Sequence, residues 1–286
     1  MKNYAITVFY SSSNVYMFVV YLFISLFCLS IFTSCCGTLL RIVIQERSLS
    51  LEQISGECIE IGAFFLNMLT YPWGFIGARP YQHPNPRLDH PPILLVHGYG
   101  LNRLSMFFVE LYLKRKGYPH IWSINHPVLK DDLLLFAQEL DQKIQRFCHI
   151  TKQPSITIIA HSMGGIVSAL ALEKHQSPIN NLITLGTPWR GTKMHILGLG
   201  KHVRQMAPEH CIIQGLKVPS IPHLAIWTKI DWILLPHENA IRDGLHNVAL
   251  EHVGHFSLLF HYRALYLIHQ YLQQDDTHTP DTLCHR

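Results

Sequence analysis

The chain has 286 residues, of which 48% are hydrophobic and only 15% are charged, and its formal net charge is +4. This length allows one large core, so a single α/β domain is the simplest expectation. The apolar composition excludes a disordered chain, and a weak positive charge without a basic block argues against nucleic-acid binding.

The first feature in chain order is an apolar segment without charge. Residues 15–33 read VYMFVVYLFISLFCLSIFT, which is long enough to span a bilayer. A cleaved signal peptide has a shorter apolar core, so we favour an uncleaved anchor within residues 1–48. Basic residues are nearly balanced on its two sides, which leaves its orientation open. Ser34-Cys35 also resembles a bacterial lipoprotein processing site, which ranks lower because Phe32 fits that site poorly.

Residues 49–90 are predicted to link this anchor to a globular domain. They begin with an amphipathic helix that ends near residues 71–74 and either lies against the membrane or packs on the domain. Four prolines in residues 81–92 then form a rigid connector. The globular domain is placed at residues 91–274 and a short tail at residues 275–286.

Strand-like and helix-like segments alternate through the globular domain. Short β-branched or apolar runs predict strands, and apolar residues at helical spacing predict helices. Strands are predicted at residues 93–96, 120–124, 155–161, 181–185 and 223–227, and helices at residues 104–116, 131–148, 166–173 and 262–273. This order is typical of a mostly parallel, doubly wound sheet with helices on both faces.

The most informative motif is AHSMGG at residues 160–165, which joins a predicted strand to a predicted helix. A serine at such a sharp turn is pushed out of the sheet and has a strained backbone. The small residues Ala160 and Gly164 let the strand and helix backbones approach closely. Ser162 is therefore the candidate nucleophile, and the adjacent Met163 N–H is a candidate anion-stabilising donor. Alone, a Ser-x-Gly turn more often just opens a helix.

A second loop, HGYG at residues 97–100, follows the first predicted strand of the domain. Its glycines allow backbone amides to turn toward one point, which an oxyanion-binding loop requires. The Tyr99 N–H is the candidate donor that would join the Met163 N–H. The same residues are also a common turn at the end of a strand.

A nucleophilic serine needs a base, and the base needs a carboxylate that orients it. Asp231 follows a predicted strand at the edge where doubly wound sheets place their sites, although a turn cap is its competing role. Asp243, in Arg-Asp-Gly, looks more like a turn residue. His255 follows Gly254 on a loop and is the candidate base, with His252 as its rival. The pair could also indicate a metal site, but no carboxylate or cysteine cluster supports one.

The long segment between residues 188 and 222 carries many apolar residues. It is predicted either to cap an acyl pocket or to pack on the core as an ordinary helical excursion. Phe107 and Phe108, after the glycine loop, either line that pocket or face the core. Seven cysteines give no framework or metal spacing, and pairing of Cys148 with Cys211 or Cys284 is left open.

Taken together, these motifs resemble the bacterial triacylglycerol lipase and esterase branch of the α/β-hydrolase superfamily. The matching segments are VHGYG (96–100), AHSMGG (160–165), LGTPWRGT (185–192), residues 231–236 and residues 254–259. They span roughly residues 91–272, and the first 90 residues fall outside the match. Ala160 stands where that branch usually has glycine, and Trp189 where it often has histidine.

The resemblance implies an α/β-hydrolase fold with a helical cap, and cleavage of carboxylic esters, above all lipid acyl esters, through an acyl-enzyme. It implies Ser162 as nucleophile, His255 as base and Asp231 as its partner. It further implies Tyr99 and Met163 as oxyanion donors, without a cofactor or metal. The expected partners are an ester or lipid substrate and the membrane, with no nucleic acid and with the oligomeric state open.

Two other functions stay open at this point. One is a membrane-bound acyltransferase or lipid-remodelling deacylase on the same fold. The other is a membrane-tethered, catalytically inactive binding module. The anchor and the resemblance together predict a protein of the bacterial cell envelope, at the inner membrane or its periplasmic face, with a lipoprotein as the alternative.

Overall fold

The computed structural model describes the backbone of residues 2–45, 51–77, 80–82, 90–126 and 131–274. Side chains within those ranges are described for residues 17–43 and from residue 55 onward. The predicted tail at residues 275–286, Cys284 and residues 83–89 of the proline-rich connector lie outside the described residues.

A seven-stranded sheet forms the centre of the described fold, in the order β1-β3-β2-β4-β5-β6-β7. Its strands are β1 Tyr81–Gln82, β2 Ile93–Val96, β3 His120–Ile124, β4 Ile156–His161, β5 Ile179–Leu185, β6 His223–Thr228 and β7 His246–Leu250. Strand β1 pairs antiparallel with β3, and every other pairing is parallel. The central strands are buried throughout because helices cover both faces.

Eight α-helices are described with the sheet. They are α1 Lys2–Gln45, α2 Leu51–Thr70, α3 Phe107–Arg115, α4 Leu133–Thr151, α5 Met163–His175, α6 Lys201–Arg204, α7 Cys211–Gln214 and α8 Tyr262–Gln274. Two large apolar clusters lie on opposite faces of the sheet; one contains α4 and α5 residues, the other α3 and α8 residues. The predicted α/β fold class and the mostly parallel sheet are confirmed.

Every predicted strand of the domain is present, and β1 and β7 are additional. Both lie at the edges of the sheet, and their patterns are weak. Strand β1 has two residues, and β7 reads HNVAL with only its last residue buried. An edge strand is half-solvated, so it needs no continuous apolar run.

Helices α1 and α2 form an antiparallel pair at one side of the domain. The Phe23 and Phe27 rings pack edge-on against Phe65, while the Arg41 guanidinium meets Glu57 at 2.8 Å. Within α1, residues Met17–Val43 are long and apolar enough to cross a membrane, or to be a signal sequence. Helix α2 packs on the domain, with Ala63 inside the core, which decides between the two predicted placements for it.

Candidate active site

Ser162 lies in the turn between β4 and α5, with φ of 54° and ψ of −125°. This conformation is costly for a residue with a Cβ, and it directs the side chain out of the sheet. The positions around Ser162 have room only for small residues. A Cβ at Gly98 would lie 2.7 Å from the Ser162 Cβ, and a Cβ at Gly164 would lie 2.7 Å from the His97 carbonyl oxygen. The glycines of both motifs therefore allow the two loops to meet at Ser162.

The two predicted oxyanion donors belong to the turn that holds this serine and to the loop beside it. Met163 is the first residue of α5, and the first N–H groups of a helix have no partner within it. Tyr99 lies in the loop after β2, and both Tyr99 and Ser162 line the same cavity. The loop after β2 and the N-terminus of α5 are therefore both next to Ser162.

His255, which lines that cavity, forms a buried pair with Asp231. The His255 Nδ1–H donates to Asp231 Oδ2 at 2.6 Å, and each side chain is only 2% exposed. Asp231 Oδ1 accepts the backbone N–H groups of Ile233 and Leu234 at 2.9 and 2.7 Å, so the carboxylate has a fixed orientation. Burial alone would lower the pKa of His255, but the charge and hydrogen bond of Asp231 outweigh it and raise that pKa above the ordinary value.

The two rival residues lie elsewhere. His252 is exposed and has a left-handed φ of 58°, and it is not among the residues that line the cavity. The Asp243 side chain is 98% exposed and lies 3.4 Å from Arg190. The structure thus brings together Ser162, Asp231 and His255, and leaves His252 and Asp243 outside. No group of three metal-binding side chains occurs among the described residues.

Two further buried histidines support the loops of the site. The His161 Nε2–H donates to the His255 carbonyl oxygen at 3.0 Å, and the His97 Nδ1–H donates to the Gly98 carbonyl oxygen at 2.8 Å. Burial lowers the pKa of His97 to about 4, so this ring is neutral at physiological pH. We interpret both rings as loop supports, because each donates to backbone at the site.

Glu60 of α2 is the residue of the site that sequence reasoning missed. Its side chain is fully buried, and its two oxygens accept the N–H groups of Phe256 at 2.6 Å and Ser257 at 2.8 Å. Burial raises the pKa of Glu60 to about 7, and its charge also raises the pKa of His255. A carboxylate from the segment before the domain therefore holds the loop that carries His255. Its position between Ile59 and Ile61 in an apolar helix was the available signal.

Helix α1 packs beside the turn that carries Asp231. A Cβ at Gly37 would overlap the Trp232 ring, and Trp232 directly follows Asp231. The buried Arg41–Glu57 ion pair lies close enough for both groups to interact electrostatically with Asp231. The two N-terminal helices therefore contact both the Asp231 turn and the His255 loop.

An apolar cavity of about 450 Å³ opens above Ser162 and His255. Its walls come from α1, from the loop after β2 and from the segment between residues 188 and 222. The first half of that segment borders the cavity, and its second half packs on the core. Met194, Leu197 and Val203 line the cavity, while Ile213 and Leu216 are buried in the core. It is therefore a partial cap with its second half packed on the domain.

Two smaller expectations need correction. Phe107 and Phe108 neither line this cavity nor face the core, since they are 46% and 37% exposed and border a separate cavity of about 270 Å³ with Phe260. They begin α3 on its outer side, so their position in the motif does not bring them to Ser162. Cys148 and Cys211 are both free thiols, and the proposed pairing between them is absent.

A Gly98→Ala substitution is expected to lower kcat/KM by about 10²-fold, because the added methyl group would displace Ser162 or the loop that carries Tyr99. Gly62→Ala is the matched control, since nothing lies within 4 Å of a Cβ there. It should keep activity and raise the free energy of unfolding by about 0.5–1 kcal/mol, because alanine favours the helix. Kinetics and thermal unfolding of both variants test this, and equal activity would show that the loop tolerates the methyl group.

Glu60→Gln is expected to lower kcat/KM by about tenfold, since the amide cannot accept both backbone N–H groups and a tenfold loss is about 1.4 kcal/mol. It should also move the acid limb of the pH–rate profile to lower pH. The base must be neutral, so activity falls as pH drops through the His255 pKa, and Glu60 is one of the groups that raise it.

The control for this substitution is Glu251→Gln. Glu251 lies four residues before His255, and its exposed carboxylate pairs with Lys229. Its profile should match that of the parent. A Glu60→Gln variant with reduced activity but an unmoved acid limb would mean that Glu60 only stabilises the fold.

Comparison with known proteins gives the same fold. A family model described as the PGAP1-like alpha/beta domain matches residues 129–208, less than half of the chain. The Bacillus licheniformis lipase BlEst2 in its mature form aligns with a TM-score of 0.58 at 17% identity, over 68% of this chain and 98% of that one.

Two further structures are similar. Est1E from Butyrivibrio proteoclasticus, solved with ferulic acid, has a TM-score of 0.53 at 13% identity, over 70% of this chain and 93% of its own. Aspergillus fumigatus lipase B has a TM-score of 0.55 at 14% identity, over 66% of this chain and 54% of its own. The chain therefore has the α/β-hydrolase fold, and its structural similarity is to lipases and esterases of that superfamily, as the motifs predicted.

Proposed function

We propose that the protein is a serine hydrolase that cleaves carboxylic esters, with lipid acyl esters as its substrates. The observation that carries this proposal is the buried Asp231–His255 pair, whose imidazole lines an apolar cavity together with a serine in a strained strand-to-helix turn. An imidazole that a buried carboxylate orients, in the same cavity as a serine hydroxyl, is an arrangement that supports acyl transfer.

In this mechanism, the Ser162 Oγ attacks the ester carbonyl carbon while His255 Nε2 takes the hydroxyl proton. The carbonyl oxygen becomes an oxyanion that accepts hydrogen bonds from the Tyr99 and Met163 N–H groups. As the intermediate collapses, His255 gives its proton to the departing alcohol, and the acyl group stays on Ser162. Water, deprotonated by His255, then attacks the acyl carbon. The bond from this carbon to the Ser162 Oγ breaks, His255 returns the proton to that oxygen, and the carboxylic acid leaves. Asp231 keeps the Nδ1 proton in place throughout and stabilises the imidazolium.

The cavity supports a lipid rather than a polar ester. Its described lining contains no Asp, Glu, Lys or Arg. Its volume is within the range of about 300–1,000 Å³ that ligand pockets occupy. Because α1 supplies part of the wall, we further propose that α1 is retained as a membrane anchor and not removed as a signal sequence. This fits the predicted location in the bacterial envelope, at the inner membrane or its periplasmic face.

The proposal is tested with the full-length protein in detergent, using p-nitrophenyl esters of increasing acyl length and an alkyl fluorophosphonate. We expect turnover of the esters, inactivation by one equivalent of phosphonate, and mass mapping of the label to the peptide that contains Ser162. Labelling at another residue, or turnover that the phosphonate does not block, would contradict the proposal. With glycerol added, a new ester in water would identify an acyltransferase, and free fatty acid alone a hydrolase.

A further inference from the structure

The N-terminal helix does more than place the protein at a membrane. We propose that α1 forms one wall of the acyl-chain site, and that the acyl chain of a membrane-resident ester enters this site from the bilayer that α1 occupies. This inference rests on the ester hydrolase function proposed above and adds the element that selects the acyl chain.

One face of α1 borders the cavity above Ser162. The lining residues of this helix are Phe32, Thr33, Cys36, Gly37 and Leu40. Their spacing of one, four, five and eight residues is that of a single helix face. The cap segment contributes Met194, Leu197 and Met206 to the same lining, which also contains Ser162 and His255. An acyl chain attached to Ser162 would therefore lie between α1 and the cap.

This face of α1 belongs to the segment that could cross a membrane. All five lining residues fall within Met17–Val43, which is long and apolar enough to span a hydrocarbon core. The cavity therefore borders the candidate membrane-spanning part of the helix. A chain that enters beside this helix would not have to cross water.

Large apolar side chains are exposed on the cap and after the end of α2. On the cap, Ile196, Leu197 and Leu199 are 74%, 62% and 83% exposed. Trp73 and Phe75, which follow the end of α2, are 56% and 47% exposed, and aromatic side chains of this kind are enriched at membrane interfaces. Exposed apolar side chains of this kind are stabilised by contact with lipid.

Two adjacent cysteines provide a matched test of the wall. Cys36 lines the cavity, whereas its neighbour Cys35 is exposed and does not. In the full-length protein, Cys36→Trp should fill part of the cavity and lower kcat/KM for p-nitrophenyl palmitate by about tenfold or more relative to that for p-nitrophenyl butyrate. Cys35→Trp should leave the ratio of the two rates unchanged. Equal palmitate-to-butyrate ratios in both variants would overturn the inference.

A second pair covers the case in which Cys36→Trp does not fold. Leu40 lines the cavity and Leu39, 62% exposed, does not, so Leu40→Trp and Leu39→Trp repeat the comparison one turn later. Thermal unfolding of each variant identifies those that are folded. A parent that hydrolyses neither ester refutes the proposed function, whereas a parent that hydrolyses both, with unchanged ratios in folded variants, refutes only the acyl-site wall.

Entry from the bilayer has its own measurement. The full-length protein is reconstituted into vesicles, and a pyrene-labelled diacylglycerol is supplied either in the same vesicles or in separate, protein-free vesicles. We expect fatty acid release mainly from the lipid that shares the membrane with α1. Equal rates from both vesicle populations would overturn entry from the bilayer.

Discussion

Replacement of Ser162 by alanine is expected to lower kcat for p-nitrophenyl esters by about 10⁶-fold, the loss measured when a catalytic serine is removed from a triad enzyme. The substitution removes the oxygen that would form the acyl-enzyme in the proposed mechanism. It keeps the Cβ and the strained backbone of the turn, so the fold and the cavity should persist. The measurement is steady-state hydrolysis by the full-length protein, with thermal unfolding as the check on folding.

Ser168→Ala is the matched control for this substitution. Ser168 lies in α5, six residues after Ser162, and is fully buried. Its Oγ donates to the Gly164 carbonyl oxygen of the same helix at 2.7 Å. Alanine is well tolerated in a helix, so activity should stay close to that of the parent. A Ser162→Ala protein that still turns over esters would contradict the nucleophile assignment. A folded Ser162→Ala protein that binds lipid and keeps its cellular role would favour the binding module instead.

The features that could be predicted from the sequence are those encoded by neighbouring residues. The turn at residues 160–165 combines a β-branched run, small residues and a helix-forming run, and each part has a local physical meaning. The alternation of strands and helices is equally local, and it was sufficient to predict a parallel sheet. Asp231 could be preferred to Asp243 because aspartates are scarce between Ser162 and the last helix and a strand end is a favoured place for a site. His255 could be preferred to His252 because it follows Gly254 on a predicted loop.

The role of the first ninety residues could not be read in this way. Glu60 meets the backbone of Phe256, which is far away in the chain, and no local pattern encodes that contact. The same is true of Gly37 against Trp232 and of the wall that α1 adds to the cavity. A buried glutamate between isoleucines and an arginine inside an apolar helix were the only local signs. Each had a simpler interpretation as the polar face of a linker or the end of an anchor.

A protein made to test these predictions needs its N-terminal residues. A fragment that starts near residue 80 retains the described Ser162, Asp231 and His255, but it lacks Glu60 and both N-terminal helices. The backbone N–H groups of Phe256 and Ser257 would lose their acceptor, and an unsatisfied buried N–H costs about 1–3 kcal/mol. The experiments above therefore use the full chain.

Asp231→Asn is expected to lower kcat by about 10⁴-fold, the effect of this change on the carboxylate of a serine-protease triad. The asparagine retains one oxygen for the N–H groups of Ile233 and Leu234, so the turn after β6 should keep its shape. Its amide nitrogen would replace Oδ2 beside His255 Nδ1. Two donors cannot face each other, so the imidazole would shift its proton to Nε2, the atom that has to accept the Ser162 proton.

The control is Asp243→Asn, which makes the same change at the other aspartate between Ser162 and α8, where the side chain is 98% exposed and paired with Arg190 across 3.4 Å. A surface ion pair of this kind contributes at most about 1 kcal/mol, so activity and unfolding temperature should match those of the parent. Both variants are compared by kcat, KM and thermal unfolding. If Asp231→Asn lost stability and activity together, the carboxylate would be a turn cap, because Asp231 also caps the backbone. If it lost only kcat, its effect would come from its bond to His255, because that bond alone sets the tautomer of the base.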